Sequence, residues 1–390
     1  MASVALILTV VSLLIWVVLT FFRGAFWQVR AFDDDVARLP LPEAWPRVLA
    51  IVPARNEAET IARTVSSLAQ QDYPGELRVI VVDDHSEDGT GALARRAAEE
   101  AGAAERVEIL QAAQLQDGWT GKLWALQQGV EKASSSGGEY FWFTDADIEH
   151  APDTLKRLVS RAECQRLDLV SLMVLLQAKS LPEKLLIPAF LYFFLQLYPP
   201  QWIADRNSKM AGAAGGCVLL KREALKRIGG FAAIRAEVID DCALARAVKR
   251  SGGAIWLGLT RKSVSLRAYT TFGEIRDLIA RTAFTQLGYS SLVLASTLVG
   301  MFLTYSAPVL FTFSAQPVVW RLSLVAWALM ATTYLPTVRF YGLSPLWAPL
   351  LPVAAVFYTY ATWLSAVRYW MGRGGQWKGR AQAPAKMLRP

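Results

Sequence analysis

Residues 4–22 carry no charge, and neither do residues 290–313, 322–338 or 346–367. A helix of about 20 residues crosses the ~30 Å hydrocarbon core of a bilayer. Inside that core every backbone N–H and C=O must find an internal partner, so stretches like these fold as helices. They predict one spanning helix at residues 1–23 and three more within residues 288–368. A charged region of ordinary composition separates them, and a basic tail, residues 369–390, follows. The chain reads as a membrane protein with one water-exposed domain inserted after its first helix.

No basic residue precedes the first helix and no small-x-small pattern precedes Arg23, which marks an anchor rather than a removed signal. Arg23 and Arg30 follow it, so the positive-inside rule puts the next domain in the cytoplasm, at a membrane of the bacterial inner type. Three later spans would then leave the tail outside. Yet Arg368, Arg373, Lys378, Arg380, Lys386 and Arg389 favour the cytoplasm, and the two indications conflict. The net charge of +8 comes from dispersed residues. No nucleic-acid recognition pattern or aromatic-basic interleaving accompanies it, which excludes nucleic acid and fits anionic lipid headgroups. Cys164, Cys217 and Cys242 lack CxxC spacing and are odd in number, as expected of free thiols in a reducing compartment.

The inserted region alternates between two periods. Residues 48–52, 77–82, 107–110 and 140–143 are short apolar runs that read as strands. Residues 57–70, 88–101, 122–132 and 153–166 have helical spacing between them. Such alternation predicts a mostly parallel α/β sheet covered by helices on both faces. Ligands of these sheets bind at the carboxyl ends of the strands. Polar clusters do fall there: Pro53-Ala54-Arg55-Asn56-Glu57, then Asp83-Asp84-His85-Ser86, then Thr144-Asp145-Ala146-Asp147. Asp145 and Asp147, one residue apart at a strand end, suit a divalent cation carrying a phosphorylated ligand. His150 is a further candidate ligand, with a structural role as its alternative.

Residues 181–203 are apolar and aromatic but broken by Pro188, Pro199 and Pro200. A span here would put Asp147 and the Asp240-Asp241 pair on opposite sides of the membrane. An interfacial segment beside the site is expected, with a buried core helix as the alternative. Gly215 and Gly216 then precede a short strand, 217–220, where glycine permits close backbone approach. Asp240 and Asp241 open a helix over residues 237–250, and residues 272–284 form an amphipathic helix.

The series Val52-Pro53-Ala54-Arg55-Asn56-Glu57, Val82-Asp83-Asp84-His85-Ser86, Gly121-Lys122, Asp145-Ala146-Asp147 and Asp240-Asp241 resembles family-two glycosyltransferases of the GT-A fold over residues 47–285. The flanking spans and the Trp377-Lys378-Gly379-Arg380 tail look most like the hopanoid-biosynthesis-associated membrane glycosyltransferases. They are also similar to ceramide glucosyltransferases and carotenoid glycosyltransferases. The resemblance implies an inverting enzyme that uses a nucleotide sugar, a UDP-sugar first of all, and a lipid acceptor. It implies that Pro53, Arg55, Glu57, Asp83 and Asp84 hold the nucleotide, with Lys122 and Asp145 nearer the phosphates and sugar. Asp147, with Asp145, would hold Mg²⁺ or Mn²⁺. Asp241 would be the general base, supported by Asp240, and Gly215 and Gly216 would line the acceptor side. Related membrane enzymes carry a (Gln/Arg)-x-x-Arg-Trp motif, of which only Arg281 is present, between Leu278 and Thr282. Arg281 keeps a diphosphate role, and the missing Trp favours a single sugar transfer over a polysaccharide synthase. A non-catalytic nucleotide-sugar-binding membrane protein is the remaining alternative.

Overall fold

In chain order, helix α1 (Ala2–Phe21) is followed by β1 (Val48–Ala54), α2 (Ile61–Ala69), β2 (Leu77–Asp83), α3 (Thr90–Glu100), β3 (Val107–Gln111), α4 (Gly121–Ser134) and β4 (Tyr140–Phe143). Next come β5 (Ile148–His150), α5 (Thr154–Gln165), β6 (Leu169–Leu175), α6 (Leu181–Leu197), α7 (Pro200–Ala204), β7 (Val218–Lys221), α8 (Arg222–Arg227), α9 (Asp240–Arg250) and β8 (Ile255–Ser265). Last are α10 (Phe272–Ala280), α11 (Ala283–Gln286), α12 (Ser291–Met301), α13 (Ala307–Phe311), α14 (Pro317–Phe340), α15 (Leu351–Trp370) and the short strands β9 (Gln376–Trp377) and β10 (Arg380–Ala381). The structure is a computed structural model and describes residues 2–30, 32–33, 41–134, 137–374, 376–377 and 380–381. Most of the basic tail lies outside the described residues. The chain divides into a helical unit (Met1–Arg30, Ala178–Gln201, Tyr269–Gly374) and a sheet unit (Ala31–Gln177, Trp202–Ala268, Gly375–Pro390).

Among the described residues the sheet unit is built on an eight-stranded sheet in the order β3-β2-β1-β4-β7-β6-β8-β5, with β9 and β10 paired separately. β3, β2, β1 and β4 are parallel. β1 is buried along its whole length, as a strand covered on both faces must be. Val48, Ala50 and Val52 share a core with Ile61, Val65 and Leu68 of α2, Ala94 and Ala97 of α3, and Leu155 and Leu158 of α5. α4 packs against Ile51 on the other face, where a Cβ on Gly129 would meet Ile51 at 2.5 Å. The sheet is mostly parallel, as expected, with two reversed strands: β7 runs antiparallel to both β4 and β6, and β5 antiparallel to β8, while β6 and β8 pair in parallel. Strands β5, β6 and β8 are not among those the sequence pattern picks out. β5 is only three residues long, and β8 interrupts its apolar run with Arg261 and Lys262.

The chain steps outward from β1 to β2 to β3, then returns to β4 on the other side of β1. That reversal leaves a crevice beyond the carboxyl ends of β1 and β4, the usual ligand position in open α/β sheets. Because β7 is antiparallel to β4, with Phe143 opposite Val218, its leading residues Gly215 and Gly216 arrive at the end from which Asp145 departs.

Among the described residues, four helical stretches are long and apolar enough to cross a membrane, all in the helical unit: Ser3–Phe21, Ser291–Phe311, Pro317–Phe340 and Pro345–Trp370. They carry the charge-free runs 4–22, 290–313, 322–338 and 346–367 from which spans were expected. α12 and α13 are joined by a π-helical turn at Phe302–Ser306 just ahead of Pro308, which has no N–H to continue the ladder. The Thr304 carbonyl there accepts from Trp16 Nε1 of α1 at 2.7 Å. α6 groups with this unit rather than with the sheet. It opens on a capping box in which Ser180 and Glu183 exchange hydrogen bonds. Its middle is buried among neighbouring helices, with Tyr192 bonded to Thr333 at 2.8 Å and the Phe193 ring edge-on to Tyr305 and Tyr358. Its ends are open, Leu181 being 63% and Leu197 49% exposed. The Arg23 guanidinium donates to the Gln196 and Leu197 carbonyls, which stabilises a helix C-terminus.

Candidate active site

The loops after β1 and β2 are stitched together by backbone-to-side-chain hydrogen bonds. Asn56 sits in the left-handed region, φ 51°, which a short amide side chain tolerates. Its N–H donates to Ser86 Oγ at 3.0 Å, and the Glu57 N–H donates to Thr90 Oγ1 at 2.8 Å. Arg55 lies across the second loop, its Nη1 donating to the Asp84 carbonyl at 2.5 Å and standing 3.9 Å from the Asp84 carboxylate. The two strand-end residues Asp83 and Asp84 have separate uses. Asp83 accepts the Ser86 N–H at 3.0 Å, and its other oxygen would lie 2.6 Å from a Cβ on Gly91. It braces the turn and keeps α3 close, while Asp84 faces Arg55.

Asp145 and Asp147 leave β4 in the turn toward β5. Asp147 is the more enclosed of the two, with side-chain exposures of 16% against 35%. Burial, with the nearby charges of Asp145 and Glu57, pushes the Asp147 carboxyl well above the usual carboxylate range, against the pull of Arg267. Arg267 was not singled out in the sequence. Its Nη2 stands 3.0 Å from each oxygen of Glu57, and its Nε 3.4 Å from Asp147 Oδ2. Antiparallel pairing puts it there. Ile148 of β5 faces Ser265 of β8, the Leu266 N–H donates to the Asp147 carbonyl at 2.7 Å, and Arg267 follows. The strand-end rule would have pointed to it had β8 been legible.

Asp145, Lys122, Asp240, Asp241, Gly215 and Phe143 line one pocket with Pro53. Lys122, from the first turn of α4, holds its Nζ 2.8 Å from Asp145 Oδ1 and 3.4 Å from Asp240 Oδ2. Burial works against its charge, but the carboxylates of Asp145, Asp240 and Asp241 outweigh it and hold the ammonium above its ordinary range. Asp240 and Asp241 open α9, where negative charge meets the positive end of the helix. Asp241 does more than complement that end. It accepts the Cys242 N–H at 2.7 Å and the Gly215 N–H at 2.8 Å. Burial and the charge of Asp240 push its carboxyl well above the carboxylate range, and Lys122 and the two backbone donors oppose this. A Cβ on Gly215 would lie 3.2 Å from Lys122 Nζ and 3.4 Å from Asp241 Oδ2, so this approach suits glycine.

His150 is spent on the framework. Its ring lies between Thr144 Oγ1 and Ser263 Oγ, 2.8 Å from each, while Thr144 Oγ1 donates to the Gly216 carbonyl. The Thr144 proton being committed, Nε2 donates and Nδ1 accepts. Burial lowers the ring's pKa to about 3, so it stays neutral. Arg281 ends α10 in the helical unit with its side chain exposed; the pocket residues all belong to the sheet unit.

A divalent cation fits the Asp145 and Asp147 pair in charge and in donor type. The Asp147 carboxyl, raised by burial and the charge of Asp145, is relieved by a cation, and oxygen donors suit Mg²⁺ or Mn²⁺. Among the described residues no three His, Cys, Asp or Glu side chains converge on one point. The remaining positions would therefore fall to phosphate oxygens and water, as is common for Mg²⁺.

Residues 49–229 match the family described as Glycosyl transferase family 2. The chain is 34% identical to Glycosyltransferase AglE of Haloferax volcanii over 126 residues, 32% of this chain and 38% of that protein. It is 32% identical to an N-acetylglucosaminyltransferase of Rhizobium leguminosarum bv. viciae over 117 residues, 30% of this chain and 25% of that protein. The chain thus spans well under half the length of these curated relatives. Among solved structures, the mannosyltransferase PcManGT from Pyrobaculum calidifontis, in complex with GDP-Man and Mn²⁺, superposes with a TM-score of 0.54 at 19% identity, covering 90% of this chain and 99% of that one. Residues 49–229 are thus similar to glycosyltransferase family two, and the fold is of the GT-A type.

Proposed function

We propose that this chain is an inverting glycosyltransferase that moves a sugar from a nucleotide-sugar donor, a UDP-sugar, to a hydroxyl of a membrane lipid. The observation that carries this reading is a single pocket with Asp145 on one wall, Asp240 and Asp241 on the other, and Lys122 between them. Asp84 and Arg55 would hold the base and ribose, with Pro53 and Glu57 beside them and Asp83 shaping the turn. Lys122 is the proposed diphosphate contact within the pocket. Mg²⁺ or Mn²⁺ on Asp147 and Asp145 would supply Lewis-acid stabilisation of the departing diphosphate.

Asp241 would take the proton of the acceptor hydroxyl as its oxygen bonds to the anomeric carbon. The bond from that carbon to the phosphate oxygen breaks on the opposite face, nucleoside diphosphate leaves, and the configuration inverts. A carboxylate held by two backbone N–H groups is fixed in place for this, and its raised pKa makes it a better proton acceptor than a free aspartate. Gly215 and Gly216 would face the acceptor.

The four apolar helices support a lipid acceptor, and the motif resemblance narrows it to a hopanoid, another polycyclic or isoprenoid lipid, or a ceramide-like lipid. Arg23 and Arg30, with three cysteines outside any CxxC spacing, support a cytoplasmic position for the sheet unit. The test is mass spectrometry of lipids from membranes supplied with UDP-sugars, with wild-type protein and with Asp241→Asn. A glycolipid formed by the wild type and absent from the variant is expected. Full activity in the variant removes the base assignment, and no glycolipid from either removes the lipid acceptor.

A further inference from the structure

Each proposed metal ligand already has a cation on it. Lys122 stands on Asp145, and Arg267 on Asp147. The two grips of Arg267 are unequal. It reaches both oxygens of Glu57 at 3.0 Å but touches Asp147 once, at 3.4 Å. Both Glu57 contacts come from Nη2 and are shorter than the Nε contact with Asp147, so Glu57 is the closer partner. Arg267 can therefore give up Asp147 and stay anchored on Glu57. Its side chain is about one-third exposed, 34%, so it has an open side.

We infer that Arg267 is the resident counter-ion of Asp147, and that it transfers to the donor diphosphate when a divalent cation takes the carboxylate. This rests on the nucleotide-sugar reading above. Asp147 is enclosed and faces the charges of Asp145 and Glu57, so a partner cation is required whether or not a metal is present. With two carboxylates and no third protein ligand among the described residues, a free divalent ion must displace Arg267 without compensation. A diphosphate changes the balance. It gives the guanidinium a new anionic partner and gives the metal further oxygens. Metal and nucleotide then bind synergistically, and Arg267 is a positioning residue that couples them.

The test is Mn²⁺ binding to the purified full-length protein, followed by electron paramagnetic resonance, with and without UDP. Wild-type protein should bind Mn²⁺ weakly alone and more tightly with UDP. In Arg267→Met, removal of a unit charge next to the ligand should tighten Mn²⁺ binding without UDP by about tenfold. The tightening that UDP confers should shrink by a similar factor. Arg267→Lys keeps the charge and should keep the wild-type pattern. Should Arg267→Met fail to fold, Arg267→Gln carries the same expectation. A merely structural role would weaken Mn²⁺ binding with and without UDP alike, and that result, or no change in either, overturns the inference while leaving the donor reading intact. A wild-type protein that binds neither Mn²⁺ nor UDP overturns both.

Discussion

The two acidic pairs of the candidate site are held in opposite ways. Asp241 stands at a helix N-terminus and is fixed by two backbone N–H groups, those of Cys242 and Gly215. Asp147 stands in a strand-to-strand turn, and its charged partner is a side chain, Arg267. Backbone donors cannot leave, whereas a guanidinium can exchange one anion for another. The first arrangement suits a base that must keep its place through a reaction. The second suits a ligand that must change partners. Both carboxyls are raised by burial and by a neighbouring aspartate, so electrostatics alone does not separate them; the kind of partner does.

The sharpest test of that contrast removes the base. Asp241→Asn keeps size and shape, and glycosyl transfer should fall by about 10²- to 10⁴-fold with donor binding retained, since a positioned general base contributes that much. Loss of donor binding instead would move Asp241 to the ligand side. Stripping divalent ions with a chelator should abolish transfer until Mg²⁺ or Mn²⁺ returns, and Asp147→Asn should raise the metal concentration needed. Activity indifferent to both would break the metal half of the comparison.

The pH profile separates the charged neighbours. Asp241 must be deprotonated to act, and its raised pKa places the loss of activity on acidification above the ~3.9 of a free aspartate. Asp240→Asn removes a like charge and should move that acid limb to lower pH. Lys122→Met removes an opposing charge and should move it to higher pH. Shifts of the same sign in both variants would contradict the arrangement. Smaller still is Gly215→Ala, where a Cβ only crowds Lys122 and Asp241 at 3.2 and 3.4 Å. We expect a cost of about 1 kcal/mol, typical of mild overpacking, seen as a few-fold loss of activity.

The framework has its own pH signature. His150 is neutral in the folded protein, with a pKa lowered to about 3, while an unfolded chain protonates it near ~6.5. Between those values the unfolded state binds more protons, so this residue's contribution to stability falls as pH drops below ~6.5. Thermal unfolding of the purified protein at pH 7.5 and 5.5 should show a lower midpoint at 5.5, and His150→Asn should weaken that dependence. An undiminished dependence in the variant would assign it to other groups.

Much of this was legible because it is local. Charge-free runs announce membrane-length helices, and apolar runs ending in Asp or Arg announce strand ends. Hence Pro53, Arg55, Asp84 and Asp145 were legible in strand-end polar clusters, whereas Lys122 and Asp241, which open helices, were pointed to by the motif resemblance. The mostly parallel sheet was legible too, but its two reversed strands, β7 and β5, were not, because no local pattern encodes a strand's direction. The sequence also left α6 open between interface and core. Only its partners, such as Thr333 and Tyr358, assign it to the helical unit.

What the sequence by itself determined is the set of chemical groups at strand ends and the helices that flank them. Both depend on periods of two to four residues and on runs of about 20. What only the tertiary structure decided is which charges meet. Arg267 lies 210 positions from Glu57 and 120 from Asp147. No local period connects them, and the antiparallel register of β5 and β8 brings them together. Likewise Asp241 became a fixed carboxylate rather than a helix-end charge only when Gly215, carried in by β7, offered its N–H. Long-range pairing sets these contacts because they depend on where strands end relative to one another, a property of the whole sheet.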